Sequence, residues 1–384
     1  MAWRGPLDGI LVVDLSRAVA GPQAAQMLGD LGARIIKIES PDGDDSRRWG
    51  PPFIEGESTY FLSINRNKES VVLDLKTDAD RDSLAALIAR ADVIIENFRT
   101  GTLARLGFSD ERIQSLNPRA ILLSVTGFGH DGPETGRPGY DQIAQGEAGL
   151  MSVTGSGPDD PQRVGVPIAD VLAAMNGAFG IVAALYDREK TGVGRIIRTS
   201  LLASVISAHV FQGTAQTVGG VTGTARGNHH PSLAPYGLFH CKDTHMQIAV
   251  GTEGHWRALC RVLGLEHDER FDTNRGRVEH RDDLIPVIEA ALASWAIDDV
   301  LDALTEAGVP AGRVRSIDEV YSWDQTRSQG LVVPVEHSTL GSIEIPGPPL
   351  RWFDGATEVT PTAHAAPPTL GEHTDRVLRW IAES

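Results

Sequence analysis

Short apolar, β-branched runs recur along the first third of the chain. Residues 10–14 (ILVVD), 34–39 (RIIKIE), 70–75, 93–96 and 120–126 each read as a strand, and polar-spaced segments at 22–31 and 79–89 read as helices between them. Continuous apolar strands of this kind are buried on both faces, and strand–helix–strand within about 30 residues predicts parallel βαβ units. Residues 165–194 then carry the longest apolar helix. Leu172, Met175, Phe179, Val182 and Tyr186 fall three and four apart, and Ala173, Ala174, Ala178, Ala183 and Ala184 fill most of the remaining face. A helix apolar nearly all round is expected to be buried. Pro167 keeps the approach extended. Asp170 is placed at the N-cap, where backbone N–H groups and the helix dipole favour its ionised form. Lys190 and Gly192 end the helix.

Beyond this helix, residues 201–218 predict another long helix. Gly219, Gly220, Gly223 and Gly227 crowd into nine residues and mark a break. The pattern after it is α+β: a hairpin at 236–240 and 246–250, then helices near 254–263, 281–294 and 297–307. Antiparallel strands follow past about 325 with a tight turn near Gly341, then a proline-rich stretch and a helix at about 373–383.

The 384 residues suffice for two or three domains. A net charge of −16 argues against general affinity for nucleic acid or anionic membrane, so an anionic ligand would need locally concentrated arginines. Cys241 and Cys260 make no disulfide framework and point to a reducing compartment. The apolar run at 10–13 is too short for a signal peptide, no window holds about 18 uninterrupted apolar residues, and a cytoplasmic protein is expected.

Candidate chemistry centres on Asp170, either a plain helix cap or an ionised carboxylate nucleophile aimed out of a core element. Glu39 ends the second strand, where a dinucleotide-binding fold places its ribose acid, but the loop SRAVAGPQ holds one glycine instead of three. Residues 127–132 (GFGHDG) match G-x-G-x-x-G, yet Pro133, Gly136 and Pro138 prevent the helix that motif must open. His229, His230, His240, Cys241 and His245 fit no zinc spacing, and no metal is expected.

Several stretches together resemble the class III CoA-transferases, the group of formyl-CoA transferase and carnitine CoA-transferase. They are PLDGILVVDLSRAVAGPQAAQMLGDLGARIIKIE (6–39), NRNKESVVLDLK (65–76), ENFRTGTLARLGF (96–108), SVTGFG (124–129), RPGYDQIAQGEAGLMSVTG (137–155), EKTGVGR (189–195), RGNHHPSLAPYGLF (226–239), GVPAGRV (308–314) and GEHTDRVL (371–378). They run through nearly the whole chain in the family's order. The resemblance implies an α/β fold with a large Rossmann-like domain (1–200 plus 330–384), a linker (201–224), a smaller α+β domain (225–329), and two chains interlocked as a homodimer.

The resemblance further implies transfer of coenzyme A from an acyl-CoA to a free carboxylic acid through aspartyl-anhydride and aspartyl-CoA thioester intermediates. Coenzyme A is then substrate, with no tightly bound cofactor. Asp170 takes the nucleophile's position, and backbone N–H groups at Gly227 and Asn228 are the candidate oxyanion donors. CoA-binding positions fall at Ala18, Val19, Ala20, Leu73, Lys76, Asn97, Phe98, Arg99, Arg105, Arg137 and Tyr140. Two histidines, His229 and His230, stand where formyl-CoA transferase carries a glycine-rich loop. The α-methylacyl-CoA racemases of the same family have His-Asp where this chain reads Tyr140-Asp141, and tyrosine is a poor base at neutral pH. That activity, or acyl-CoA binding without catalysis, is the alternative.

Overall fold

Alternate residues of the first strand feed opposite cores. In the computed structural model, which describes residues 4–383, β1 (Leu11–Asp14) is buried along its length. Val12 packs into an apolar cluster with Ile35, Val93 and Leu123; Leu11 and Val13 pack into another with Ile36, Ile94 and Leu122. The sheet is therefore covered on both faces, as its unbroken apolar strands require. The elements that build it run α1 (Ala20–Asp30), β2 (Arg34–Glu39), β3 (Lys68–Val72), α2 (Asp78–Ile88), β4 (Val93–Glu96), β5 (Ile121–Thr126), α3 (Asp141–Glu147), α4 (Ile168–Thr191) and β6 (Ile196–Ser200). All neighbouring pairs are parallel, in the order β3-β2-β1-β4-β5-β6. This is the doubly wound order whose direction of growth reverses between β1 and β4, where such sheets bind ligands at their carboxyl edge.

The central helix, expected to be buried nearly all round, is buried on one side only. Ala173, Ala174, Gly177, Ala178, Ile181, Ala184 and Leu185 form the buried side, which packs on α1 and β5. Met175, Phe179, Val182 and Tyr186 are exposed, Phe179 by 77%. Small residues win the core face because the neighbours come close: a Cβ on Gly177 would stand 2.7 Å from the Leu123 side chain. By length and composition α4 could cross a membrane, with a mean hydropathy of 1.8 in its most apolar window, but this packing is that of a core helix. Its C-terminus ends as expected, with Gly192 left-handed at φ 73°.

The helix expected over 201–218 is broken into α5 (Leu201–Ser207) and α6 (Val210–Gly219). Val210 takes a φ of 44° at the join, and the ring Nε2 of His209 bonds Ala148 O at 2.8 Å. Both helices belong to the first of two compact units, formed by the residues up to Leu150, Val164–Gly220 and those from Asp324 on. The segment assigned as linker at 201–224 is thus mostly helix. Val221–Trp323, joined by Met151–Arg163, forms the second unit. It holds β7 (Tyr236–His240), β8 (His245–Ala249), α7 (Glu253–Leu263), α8 (Arg281–Leu292), α9 (Ile297–Glu306) and β9 (Ala311–Arg313). The sheet β9-β8-β7 is antiparallel and has its own core, with Phe239, Met246, Leu259, Ile288 and Leu304 at its centre.

The chain then returns to the first unit with the hairpin β10 (Val332–His337) and β11 (Gly341–Pro346), followed by α10 (Thr374–Glu383). Val377 of α10 is fully buried in the cluster containing Ile36 and Val71. Gly371 N donates to Ser70 Oγ at 2.9 Å and Val72 N to Thr374 Oγ1 at 3.0 Å. The outer edge of β3 is thereby covered.

Candidate active site

The carboxyl edge of the six-stranded sheet is built on a nest of buried charge. Asp14 at the end of β1 lies beside Lys37 of β2 in register. Lys68 Nζ reaches Asp14 at 3.0 Å, Pro22 O at 2.7 Å and Asn65 Oδ1 at 2.9 Å. Lys37 Nζ pairs with Asp44 at 2.8 Å and donates to Ser16 O at 2.9 Å. All four charged side chains are fully buried. Burial would raise the Asp44 carboxyl, but Lys37 and backbone N–H donors hold it at about 2. Burial also pushes Lys68 down to about 8 against the attraction of Asp14.

This nest fixes the loop after β1. Ser16 N donates to Asp14 Oδ1 at 3.0 Å and Ala18 N to Asp44 Oδ1 at 3.1 Å. Ala18 is held at a φ of 65°, a left-handed conformation that a non-glycine residue rarely adopts. Asn97 closes the loop from the other side of the switch point, accepting from Arg17 N at 2.8 Å and donating to Arg17 O at 2.7 Å. Arg17 also lies over the Phe98 ring at 5.2 Å. The structure therefore brings Ala18, Val19 and Ala20 together with Asn97 and Phe98. Val19 is the N-cap of α1 and supplies no side-chain acceptor, so the first N–H groups of that helix have no side-chain cap.

The remaining CoA-binding candidates differ in what they have to offer. Arg99 is exposed, and Arg105 is exposed with one bond to Thr102 Oγ1 at 2.7 Å. Lys76 is exposed while Leu73 is buried. Arg137 is already engaged: it pairs with Glu134 at 3.3 Å and with Glu147, and lies 4.5 Å from the Phe128 ring centroid. Tyr140 is 65% exposed and packs edge-on to Trp49, which in turn packs on Tyr60 with centroids 5.0 Å apart. Glu39 is not available to a ribose. It takes two bonds from Arg47 at 2.7 Å, one from Ser70 and one from Asp44 N.

Asp170 lies in the first turn of α4, not at its cap. Pro167 occupies the N-cap and gives no side-chain bond. The capping carboxylate comes instead from Asp141, whose Oδ1 accepts from Ala169 N at 2.7 Å and Asp170 N at 3.4 Å, while its Oδ2 accepts from Gln145 at 2.7 Å. Asp141 reaches this place because the loop after β5 folds back on itself: a Cβ on Gly127 would meet Gly139 Cα at 2.8 Å. Among the described residues the Asp170 carboxylate accepts no hydrogen bond and faces no cation. Burial, then the charge of Asp141, pushes it up to about 7. The ionised form is therefore disfavoured, the reverse of the expectation for a cap, because one short helix end cannot offset desolvation and a like charge. Tyr60 stands near enough for Asp170 and Asp141 to raise its hydroxyl, after the effect of burial.

In the second unit, Gly227 N donates to Gly155 O at 2.9 Å. Of the two oxyanion candidates only Asn228 keeps its N–H without an acceptor among the described residues. The segment after it is tethered. Arg281 donates to His230 O at 2.5 Å, Asn274 Nδ2 to Ser232 O at 2.9 Å, and Ala234 N to Asn274 Oδ1 at 3.2 Å. His229 packs against Phe239 and His230 against Tyr236. His240 and His245 are cross-strand neighbours, and among the described residues no group of three or more His, Cys, Asp or Glu could hold a metal.

Comparison with known proteins identifies the family. The model of CoA-transferase family III matches residues 7–374. The succinate–glutarate CoA-transferase of Agrobacterium fabrum is 39% identical, covering 97% of this chain and 95% of that protein. The succinyl-CoA:glutarate CoA-transferase of Mus musculus is 36% identical, covering 98% and 86%. A crystal structure of a CAIB/BAIF family protein from Brucella suis superposes with a TM-score of 0.87 at 37% identity, covering 99% and 100%. With a doubly wound sheet, a carboxylate at the mouth of its longest helix and a family match over nearly its whole length, this chain belongs to CoA-transferase family III.

Proposed function

We propose that the protein moves coenzyme A from an acyl-CoA to a free carboxylic acid, with Asp170 as nucleophile and small dicarboxylic acids among its substrates. The observation that carries this reading is the state of Asp170: partly buried, without hydrogen bonds or a cation, at the opening of α4. A structural carboxylate buried at such cost would be expected to have a partner. A poorly solvated carboxylate with a proton affinity near neutrality suits a nucleophile. The dicarboxylate substrates rest on the succinate and glutarate named for the Agrobacterium and mouse relatives.

The chemistry follows in balanced steps. A carboxylate oxygen of Asp170 attacks the thioester carbonyl, and the C–S bond breaks to give an aspartyl–acyl anhydride and CoA thiolate. The thiolate attacks the aspartyl carbonyl and releases the donor acid as carboxylate, leaving an aspartyl-CoA thioester. The acceptor carboxylate attacks the aspartyl carbonyl of that thioester, and its C–S bond breaks to give a second aspartyl–acyl anhydride and CoA thiolate. The thiolate then attacks the acyl carbonyl, forming the new acyl-CoA and releasing Asp170 as carboxylate. No net proton moves. Each tetrahedral oxyanion needs donors; Asn228 N–H is the remaining backbone candidate of the pair read from the sequence. The uncapped start of α1 and the exposed Arg99 and Arg105 favour the phosphates of CoA. The racemase reading would require an imidazole where Tyr140 stands, and the Asp141 carboxylate is occupied in capping α4.

The exposed apolar stripe Met175, Phe179, Val182 and Tyr186 supports a homodimer, interlocked as in the family, that covers it. A fully active monomer in light scattering at micromolar concentration would remove that part. The catalytic proposal is tested by incubating the protein with succinyl-CoA and hydroxylamine. Trapping of Asp170 as its hydroxamate, located by peptide mass, is expected; turnover with no trapped adduct would overturn it.

A further inference from the structure

A second polar row crosses the carboxyl edge of the sheet, on the face opposite α1. Parallel register sets Glu96 of β4 beside Ser124 of β5, and Ser124 beside Arg198 of β6. Two residues earlier on the same face stand Ile94, Leu122 and Ile196, which pack into the cluster beneath. The polar row therefore lies directly on an apolar floor. Glu96, Ser124 and Arg198 line a pocket of about 260 Å³ together with His130 and Arg99.

Within the row Glu96 is almost completely buried and, among the described residues, has no salt-bridge partner. Arg198 pairs with Asp110 at 2.7 Å. One Glu96 oxygen bonds the Ser124 hydroxyl, which contacts His130 Nε2 at 2.7 Å. The other accepts from Phe98 N at 2.8 Å. Burial pushes the Glu96 carboxyl up and the His130 imidazole down. The charged groups facing this cluster are Arg198, Asp110, Asp131, Arg99 and Glu111.

The Phe98 bond is the informative one. Its N–H belongs to the turn at 97–99, which stands beyond the end of β4 and whose Asn97 grips Arg17 on both backbone atoms. A bond from a buried carboxylate to the middle of that turn fixes the direction in which Phe98 and Arg99 leave the sheet. The chain thus holds a desolvated carboxylate, with no cation partner, at the base of the turn given to CoA above. We infer that Glu96, backed by Ser124 and His130, is a positioning residue that sets the turn at 97–99 for coenzyme A. Its oxygens are committed to the fold and do not touch substrate. This inference rests on the proposed function, because the ligand is that function's substrate.

The test titrates free coenzyme A into the parent, Glu96→Ala, Glu96→Gln and Ser124→Ala by calorimetry, with initial rates measured against acyl-CoA and against the acid. Glu96→Ala removes the acceptor for Phe98 N–H and should weaken coenzyme A by about tenfold, the scale of one hydrogen bond. KM for acyl-CoA should rise with it while KM for the acid stays. Glutamine should restore binding, because its amide oxygen accepts from Phe98 and its amino group donates to Ser124, whose hydroxyl turns to His130. A merely structural role would lower the melting temperature and shift both KM values together. Coenzyme A affinity unchanged in folded Glu96→Ala, or glutamine as weak as alanine, would overturn the inference. Should Glu96→Ala not fold, Ser124→Ala decides: a two- to threefold loss supports it and an unchanged affinity overturns it. A parent that binds no coenzyme A at all would overturn the proposed function as well, which separates the two failures.

Discussion

Two groups of buried carboxylates are held by the first unit, and their surroundings are opposites. Asp14 and Asp44 each face a buried lysine and accept backbone or hydroxyl donors, and Asp44 is held at about 2. Among the described residues Asp170 has no donor and no cation; burial and Asp141 bring it to about 7. Desolvation acts on both groups, so the difference lies in what each site supplies in return. Where lysines and N–H groups are supplied, the charge becomes part of the scaffold that shapes the loop at 16–18. Where they are withheld, the carboxyl is raised towards neutrality, as the proposed nucleophile requires. Desolvated charge is thus used for shape in one place and, in the function proposed above, for chemistry in the other.

The sharpest way to break this contrast is to remove the carboxylate at Asp170. Asp170→Asn and Asp170→Ser should reduce exchange by more than about a thousandfold, because neither side chain can form the anhydride without an activating base. Exchange near the parent rate in either variant would return Asp170 to a structural role. The next largest effect is expected on the other side. Lys37→Met leaves Asp44 buried without its partner and should cost about 3–5 kcal/mol in denaturant unfolding. A loss under about 1 kcal/mol would show that the nest is not a scaffold.

The pH dependence sharpens the comparison. Activity on the acid side should rise about tenfold per pH unit and level off above about 7, as Asp170 ionises. For stability the signs oppose. Asp170 is raised above its usual 3.8, so its contribution is full below that value and is lost as pH rises through about 7. Asp170→Asn should therefore melt above the parent at pH 8 and no higher at pH 4. Asp44 is lowered, so its contribution is full above 3.8 and is lost as pH falls through about 2. A rate that stays flat from pH 5 to 8 would contradict the raised carboxyl. The smallest effect is reserved for the surface: Arg105→Ala should weaken CoA severalfold while stability stays within about 0.5 kcal/mol, and unchanged affinity in calorimetry would take Arg105 out of the binding site.

Legibility in the sequence followed the reach of each interaction. β2 and β4 match the apolar runs that predict them, and β1 and β5 lie within one residue, because unbroken β-branched segments report double-sided burial directly. β6 was not read, since Arg198 and Thr199 interrupt a run of only five residues. α4 was read as buried nearly all round because nearly all of its surface is apolar; one side is exposed, and close approach by α1 and Leu123 demands alanine and glycine on the other. The resemblance singled out Asp170 as the proposed nucleophile. Its cap was not: Asp141 lies 29 residues upstream and arrives through the 127–139 fold-back. The proton affinity of Asp170 was missed for the same reason, as it depends on groups that only folding brings near. At Gly227 the motif marked the position, but the bond to Gly155 O that occupies its N–H is non-local.

The edge of β3 is closed by residues from about 300 positions further along the chain. During synthesis that edge must wait. At about 5–20 residues per second, the ribosome needs roughly 15–60 s after releasing Val72 before Val377 can enter the core beneath it. Throughout that interval the nascent sheet presents an unpaired margin while the second unit, contained between the returns of the chain, emerges. The α10 segment therefore acts as a latch on co-translational assembly, and a chain truncated before it would carry Asp170 on a sheet still open to aggregation.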